Sequence, residues 1–154
     1  MKKIIISLLL AFTIQGASAQ EIFKEVKRML DENVAYADNT ENNLEKRKIA
    51  TFKADAIYYL MSRGSKDSTF TEYDLGLQTA AMIDFVNIFV KRVADVKKKE
   101  RETIQAKFKG ITLRNPLFND PEKNIVYGYV DNDSFITQFS IDTDWVKALE
   151  ELKK

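Results

Sequence analysis

Residues 71–96 read TEYDLGLQTAAMIDFVNIFVKRVADV, and this stretch decides the fold. Leu75, Thr79, Met82, Val86, Phe89, Val93 and Val96 recur at alternating spacings of four and three, the period of one face of an α-helix. Leu77, Ala81, Phe85 and Ile88 mark a second apolar face. A helix that is apolar on two sides is packed on two sides, which places this one at the centre of a helical fold. Thr71 and Asp74 have the spacing of a capping box, with Asp in place of the usual Glu or Gln. Gly76 weakens the first turns by about 1 kcal/mol relative to alanine, which points to close approach of another helix there.

Downstream the helical pattern continues through the charged residues 97–102, Ile104 and Phe108 to an expected stop at Gly110. Unbroken from Glu72 to Lys109, such a helix is about 57 Å long. A compact domain of this size is only about 35–40 Å across. The helix therefore either bends near residues 97–102 or projects its basic end into solvent or onto a partner.

Upstream, Phe23, Val26, Leu30 and Val34 predict a helix over residues 21–37. A second helix is predicted over residues 41–63, with Ile49, Phe52, Ala56 and Leu60 inward, Thr40 as N-cap and Gly64 as a left-handed stop. Beyond Gly110, Asn115-Pro116 and Asp120-Pro121 break helices. Residues 125–130 and 135–141 are rich in β-branched and aromatic side chains and flank a turn-like 131–134, the pattern of a hairpin. Asp142-Thr143 then caps a final helix with Trp145, Leu149 and Leu152 inward. The expected fold is mainly α: an antiparallel bundle of three long helices, a C-terminal β-hairpin-like region and a short terminal helix.

Residues 1–19 have the order of a secretory signal peptide. Lys2 and Lys3 precede an apolar core, and Ala17-Ser18-Ala19 fits the cleavage pattern. The core is too short to span a bilayer, which takes about 20 apolar residues. Without a cysteine behind it, lipid anchoring is not expected. The reading is a single domain over residues 20–154, exported to the periplasm or secreted, with no transmembrane segment.

The chain has 154 residues, 45% apolar and 31% charged, with no cysteine and no histidine. That composition excludes disulfides, catalytic thiols, Ser-His-Asp triads and histidine metal ligands. Without Lys2 and Lys3 the balance is 22 cationic to 23 anionic side chains, which offers no global attraction for nucleic acid. The distribution is uneven: residues 91–109 carry 8 cations against 3 anions.

Four constellations of side chains are candidates for chemistry. Asp131, Asp133, Asp142 and Asp144 offer oxygen ligands suited to calcium, and Asp131-Asn132-Asp133 opens like an EF-hand loop. The pattern then fails, because Phe135 and Ile136 occupy the third-ligand and glycine positions, so turn and cap chemistry is expected instead. Glu72, Asp74 and Asp84 leave two-carboxylate hydrolysis formally open, but no motif supports a catalytic set. The basic segment, with Lys97, Lys98, Lys99 and Arg101 at its centre, is either a solvated helix face or a contact for an acidic partner. The aromatic residues Tyr59, Tyr73, Tyr127, Tyr129 and Trp145 either pack the core or line a pocket for a small molecule or glycan between helices and hairpin.

Asn115-Pro116-Leu117-Phe118-Asn119-Asp120, Gln138-Phe139-Ser140 and Asp142-Thr143-Asp144-Trp145, with the helical residues 49–59 and 85–92, resemble a group of small exported proteins from Bacteroides-like bacteria. The resemblance covers most of the chain after Ala19. It implies a compartment and a fold type, and it carries no assigned activity. The functional expectation is a non-enzymatic binding protein of the cell envelope, without cofactor or metal, that contacts an unidentified envelope protein through the basic surface. The alternative is the small-molecule or glycan site at the aromatic set.

Overall fold

The computed structural model describes residues 19–118, 126–127 and 138–154. The expected signal peptide and most of the expected hairpin lie outside the described residues. The fold is mainly helical: α1 (Ala19–Asp38), α2 (Leu44–Gly64), α3 (Glu72–Ala94), α4 (Lys98–Arg114) and α5 (Trp145–Lys153). Val126–Tyr127 (β1) and Gln138–Phe139 (β2) pair antiparallel, with Val126 opposite Phe139 and Tyr127 opposite Gln138.

Helix α3 is central, as its two apolar faces predict, and packs against α1, α2, α4 and α5. Its capping box is formed: Thr71 Oγ1 accepts from Asp74 N–H at 3.1 Å, and Asp74 Oδ2 accepts from Thr71 N–H at 2.9 Å. Met82, Phe85, Val86 and Phe89 are fully buried. Leu77, expected on the second inward face, is exposed. A Cβ on Gly76 would lie 3.0 Å from Ile22 Cγ2, so the glycine lets α1 approach α3 closely.

Aromatic rings fill the core. Phe139 sits edge-on to Phe52 at 5.2 Å, Phe85 at 5.6 Å and Phe89 at 5.0 Å. Trp145 packs edge-on against Phe52 and Phe85, with ring centroids 6.1 and 5.6 Å apart. Edge-to-face pairs of this kind add about 0.5–1.5 kcal/mol beyond the area they bury.

A polar clamp holds the C-terminal helix to this core. Gln78, buried on α3, donates from Nε2 to Asp144 Oδ1 at 2.9 Å and accepts at Oε1 from Trp145 N–H at 2.7 Å. Asp144 also accepts from the backbone of Lys147, so it is the N-cap of α5. Asp142 and Thr143, the expected caps, serve the preceding loop instead. Asp142 Oδ1 accepts from Phe118 N–H, and Thr143 Oγ1 donates to Ser140 O.

Other boundaries also move. The N-cap of α2 is Asn43, not Thr40, because Asn39 first forms a turn that receives Glu41 N–H on its side chain and Asn42 N–H on its carbonyl. Gly64 is the last helical residue, and the following Ser65 is right-handed at φ −67°, ψ −19°. The glycine supplies space rather than a left-handed turn, since a Cβ there would lie 3.0 Å from Phe70 Cδ1.

The long helix is broken. Helix α3 ends at Ala94, and α4 starts at Lys98 and runs through Gly110 to Arg114. The break lets Phe108 fold back onto Phe85 and Phe89, at 5.0 and 5.3 Å. Burying one such side chain is worth about 1.5–3 kcal/mol, comparable to the few helical hydrogen bonds given up at about 0.5–1.5 kcal/mol each.

Two outcomes follow from the clamp. Gln78→Leu keeps the volume but leaves buried Trp145 N–H without its acceptor, so urea unfolding should show a loss of about 1–3 kcal/mol. Tyr58→Ala, at a position 68% exposed, should stay within about 0.5 kcal/mol of the parent. The second outcome concerns acid. Burial pushes the Asp144 carboxyl up, but hydrogen bonds from Gln78 and Lys147 outweigh it and hold the group below its ordinary 3.8. Its stabilising contribution is therefore present above that value and lost as pH falls below it. Asp144→Asn should flatten the dependence of the urea midpoint on pH over roughly pH 5 to 2.

Candidate functional site

The basic surface is a corner between two helices. Asp95, at φ −114° and ψ 16°, leaves the α3 helix, and Lys97, at φ −67° and ψ 157°, opens α4 without a side-chain cap. Lys97, Lys98 and Lys99 are all exposed at the start of α4. Their ammonium groups have no ion-pair or hydrogen-bond partner among the described residues. They are placed where the helix dipole disfavours cations, so nothing local accounts for them.

Arg101 departs from this group. It turns toward α2, where its Nη1 lies 3.9 Å from Glu45 Oε1, and its Nε is buried without a hydrogen-bond partner among the described residues. The expected four-residue surface is thus three exposed lysines and one half-buried arginine.

Arg101 closes one end of a groove along α2 and α3. The nearer cavity, about 260 Å³, lies between Asn43, Glu45, Lys46 and Ile49 on α2 and its N-cap, Val90, Val93 and Ala94 on α3, and Arg101. The further one, about 350 Å³, shares Lys46, Ile49 and Val90 and adds Lys53, Asn87 and the α1 residues Glu32, Asn33 and Tyr36. Asn43 and Lys53 are ten residues apart on α2, so the groove is about 15 Å long. Ile49 and Val90 line both cavities and Val93 and Ala94 the nearer one, while polar side chains make up the rest of the nearer lining and most of the further.

The charges around the further cavity are unbalanced. Lys53 Nζ donates to Asn87 Oδ1 at 2.9 Å and has no ion pair among the described residues. Burial holds the Lys53 amine below its ordinary value. Lys46 has no ion pair among the described residues. The carboxylate of Glu32 is engaged by Arg28. Two cations therefore face the cavity with one carboxylate, Glu32, which shares Arg28 with Glu25.

The aromatic set does not share one place. Trp145 is fully buried in the core against Phe52 and Phe85, and its Nε1 has no acceptor among the described residues. Tyr59 is buried on α2 beside Phe118, at 6.1 Å. Tyr73 is exposed in the first turn of α3. The side chain of Tyr127 and the whole of Tyr129 lie outside the described residues. Of the acidic set, Asp142 and Asp144 serve backbone caps, while Asp131 and Asp133 lie outside the described residues. No group of three or more potential metal ligands occurs among the described residues. No described helix is long and apolar enough to cross a membrane.

No protein-family model, curated protein or solved structure matches the chain.

The groove was missed by the sequence reading, although a signal was there. Lys46 and Lys53 stand three residues before and four after Ile49, so both lie on the face that Ile49 turns inward. A lysine on the inner stripe of a packed helix marks a cavity or a buried pair. The contribution of Asn87 and Val90 depended on how α3 lies against α2.

Lys53 gives a direct check. A half-buried cation without a counter-charge opposes folding, so Lys53→Met should leave the melting temperature unchanged or higher at pH 7. Because the amine titrates low in the folded state, the parent gains stability as pH rises toward 10.5. The difference between parent and variant should narrow over that range, as followed by urea unfolding at several pH values.

Proposed function

We propose that this chain is an exported, non-enzymatic binding protein of the bacterial cell envelope, periplasmic or secreted and without a lipid anchor. Its partner is an envelope protein presenting an acidic surface, met at the corner between α3 and α4. The observation that carries this reading is the cluster of Lys97, Lys98 and Lys99, exposed and without ion pairs among the described residues, beside a groove partly lined by Ile49, Val90, Val93 and Ala94. An apolar patch with a charged rim is the anatomy of a transient protein interface. Charges at such a rim mainly raise the association rate and select the partner's sign.

The export reading is supported by the order of charge, apolar core and small residues over positions 1–19. We also read α1, α2 and α3 as an antiparallel three-helix bundle. The five-residue link between α1 and α2 and the facing of Lys53 with Asn87 support that arrangement. The paired residues at β1 and β2 support a hairpin that continues beyond them.

The test is a cross-linking pull-down of the C-terminally tagged chain from its own bacterium at low and high salt. A specific acidic protein should be recovered at low salt and lost at high salt, where the Debye length falls to about 3 Å at 1 M. The triple variant Lys97→Glu, Lys98→Glu, Lys99→Glu should abolish recovery without changing the melting temperature. Equal recovery with the triple variant would overturn the reading.

A further inference from the structure

The groove between α2 and α3 has features that the corner does not explain. Its further cavity of about 350 Å³ lies within the range of about 300–1,000 Å³ usual for small-molecule sites. It is lined by two lysines, Lys46 and Lys53, with Ile49, Ala50 and Val90 as its apolar part and Tyr36 on the α1 side. Lys53 is half-buried there, yet its ammonium meets a neutral amide oxygen and has no ion pair among the described residues. A cation removed from water is costly unless it is paired. An anion entering this cavity would supply the missing charge, whereas a neutral or cationic ligand would not.

The charges and the apolar part of the lining together define the ligand. Lys46 and Lys53 are separated by two helical turns and point to the same cavity, with Ile49 between them and Val90 opposite. Val93 and Ala94 continue the apolar part of the lining toward Arg101. We propose that this groove binds an aliphatic monocarboxylate, its carboxylate held by Lys53 and Lys46 and its chain laid along Ile49, Val90 and Val93. The amide of Asn87 orients the Lys53 ammonium toward the cavity. The arrangement uses none of the three exposed lysines at the corner, so this site stands or falls separately from the partner contact.

The experiment is a titration of the purified chain lacking residues 1–19 and, in parallel, of the full chain, with octanoate as probe. Octylamine, of similar length and opposite charge, and acetate, which lacks the chain, are the controls. Binding is read by calorimetry and by amide chemical-shift changes. Octanoate should bind saturably, with shifts concentrated at Ile49, Ala50, Asn87 and Val90, and the two controls should not saturate. Lys53→Met should weaken octanoate binding at least tenfold. Val90→Trp, which fills the groove from the α3 side, should abolish binding in a protein whose far-ultraviolet circular dichroism is unchanged. Octylamine binding as tightly as octanoate, unaltered octanoate binding by Lys53→Met, or shifts that avoid the groove would each overturn the proposal, as would no octanoate binding at all. The triple Lys97–Lys99 charge reversal should bind octanoate as the parent does, which separates the two sites.

Discussion

The side chain of Gln78 joins the two ends of the core. Its amide donates to Asp144 and its carbonyl accepts from Trp145. A single buried residue of α3 thereby sets the first turn of α5. Trp145 can then sit edge-on to Phe52 and Phe85, and Phe139 lies among Phe52, Phe85 and Phe89. The domain has no disulfide, and the C-terminal segment is held by this clamp, by the rings it positions, by buried Ile141, Ala148, Leu149 and Leu152, by the bonds of Glu151 to Arg114 and Asn115, and by the backbone contacts of residues 115–117 with 142–144. Directional hydrogen bonds between buried groups specify one arrangement in a way that apolar contacts alone do not.

The same core drives the turn that creates the exposed basic corner. Phe108 is drawn onto Phe85 and Phe89, and α4 must fold back to deliver it. That reversal leaves Lys97, Lys98 and Lys99 at an exposed corner and brings Arg101 round to face Glu45. Arg101 in turn closes the groove whose other end holds Lys53 and Asn87. The corner and the Arg101 end of the groove are therefore consequences of one event, the packing of α4 against α3, whereas the further cavity is built by α1, α2 and α3. The proposed partner contact and the proposed carboxylate site draw on its two sides.

Much of this was legible along the chain. The central position of α3, the capping box at Thr71 and Asp74, the close approach at Gly76 and the inward Trp145, Leu149 and Leu152 all follow from spacing and residue type. Less was legible at the ends of elements. Asn43 and Asp144 took the capping roles expected of Thr40 and of Asp142-Thr143, because several polar residues compete at each site and the neighbouring turn decides among them. Gly64 and Gly110 resembled stops, but both are helical in the folded chain. The break at residues 95–97 carried no proline, glycine or capping side chain, so no local signal announced it.

By itself the sequence determined a mainly helical, cysteine-free and histidine-free domain around the 71–96 segment, with a basic block at residues 91–109. Periodicity and composition suffice for that, since they record which faces must leave water. Only the tertiary structure decided that the long helical pattern splits, that Arg101 leaves the basic surface for α2, and that Lys53 stands half-buried against Asn87. Those outcomes depend on contacts between residues far apart in the chain, where the gain from burying Phe108 competes with helix continuity, and no local pattern encodes that balance.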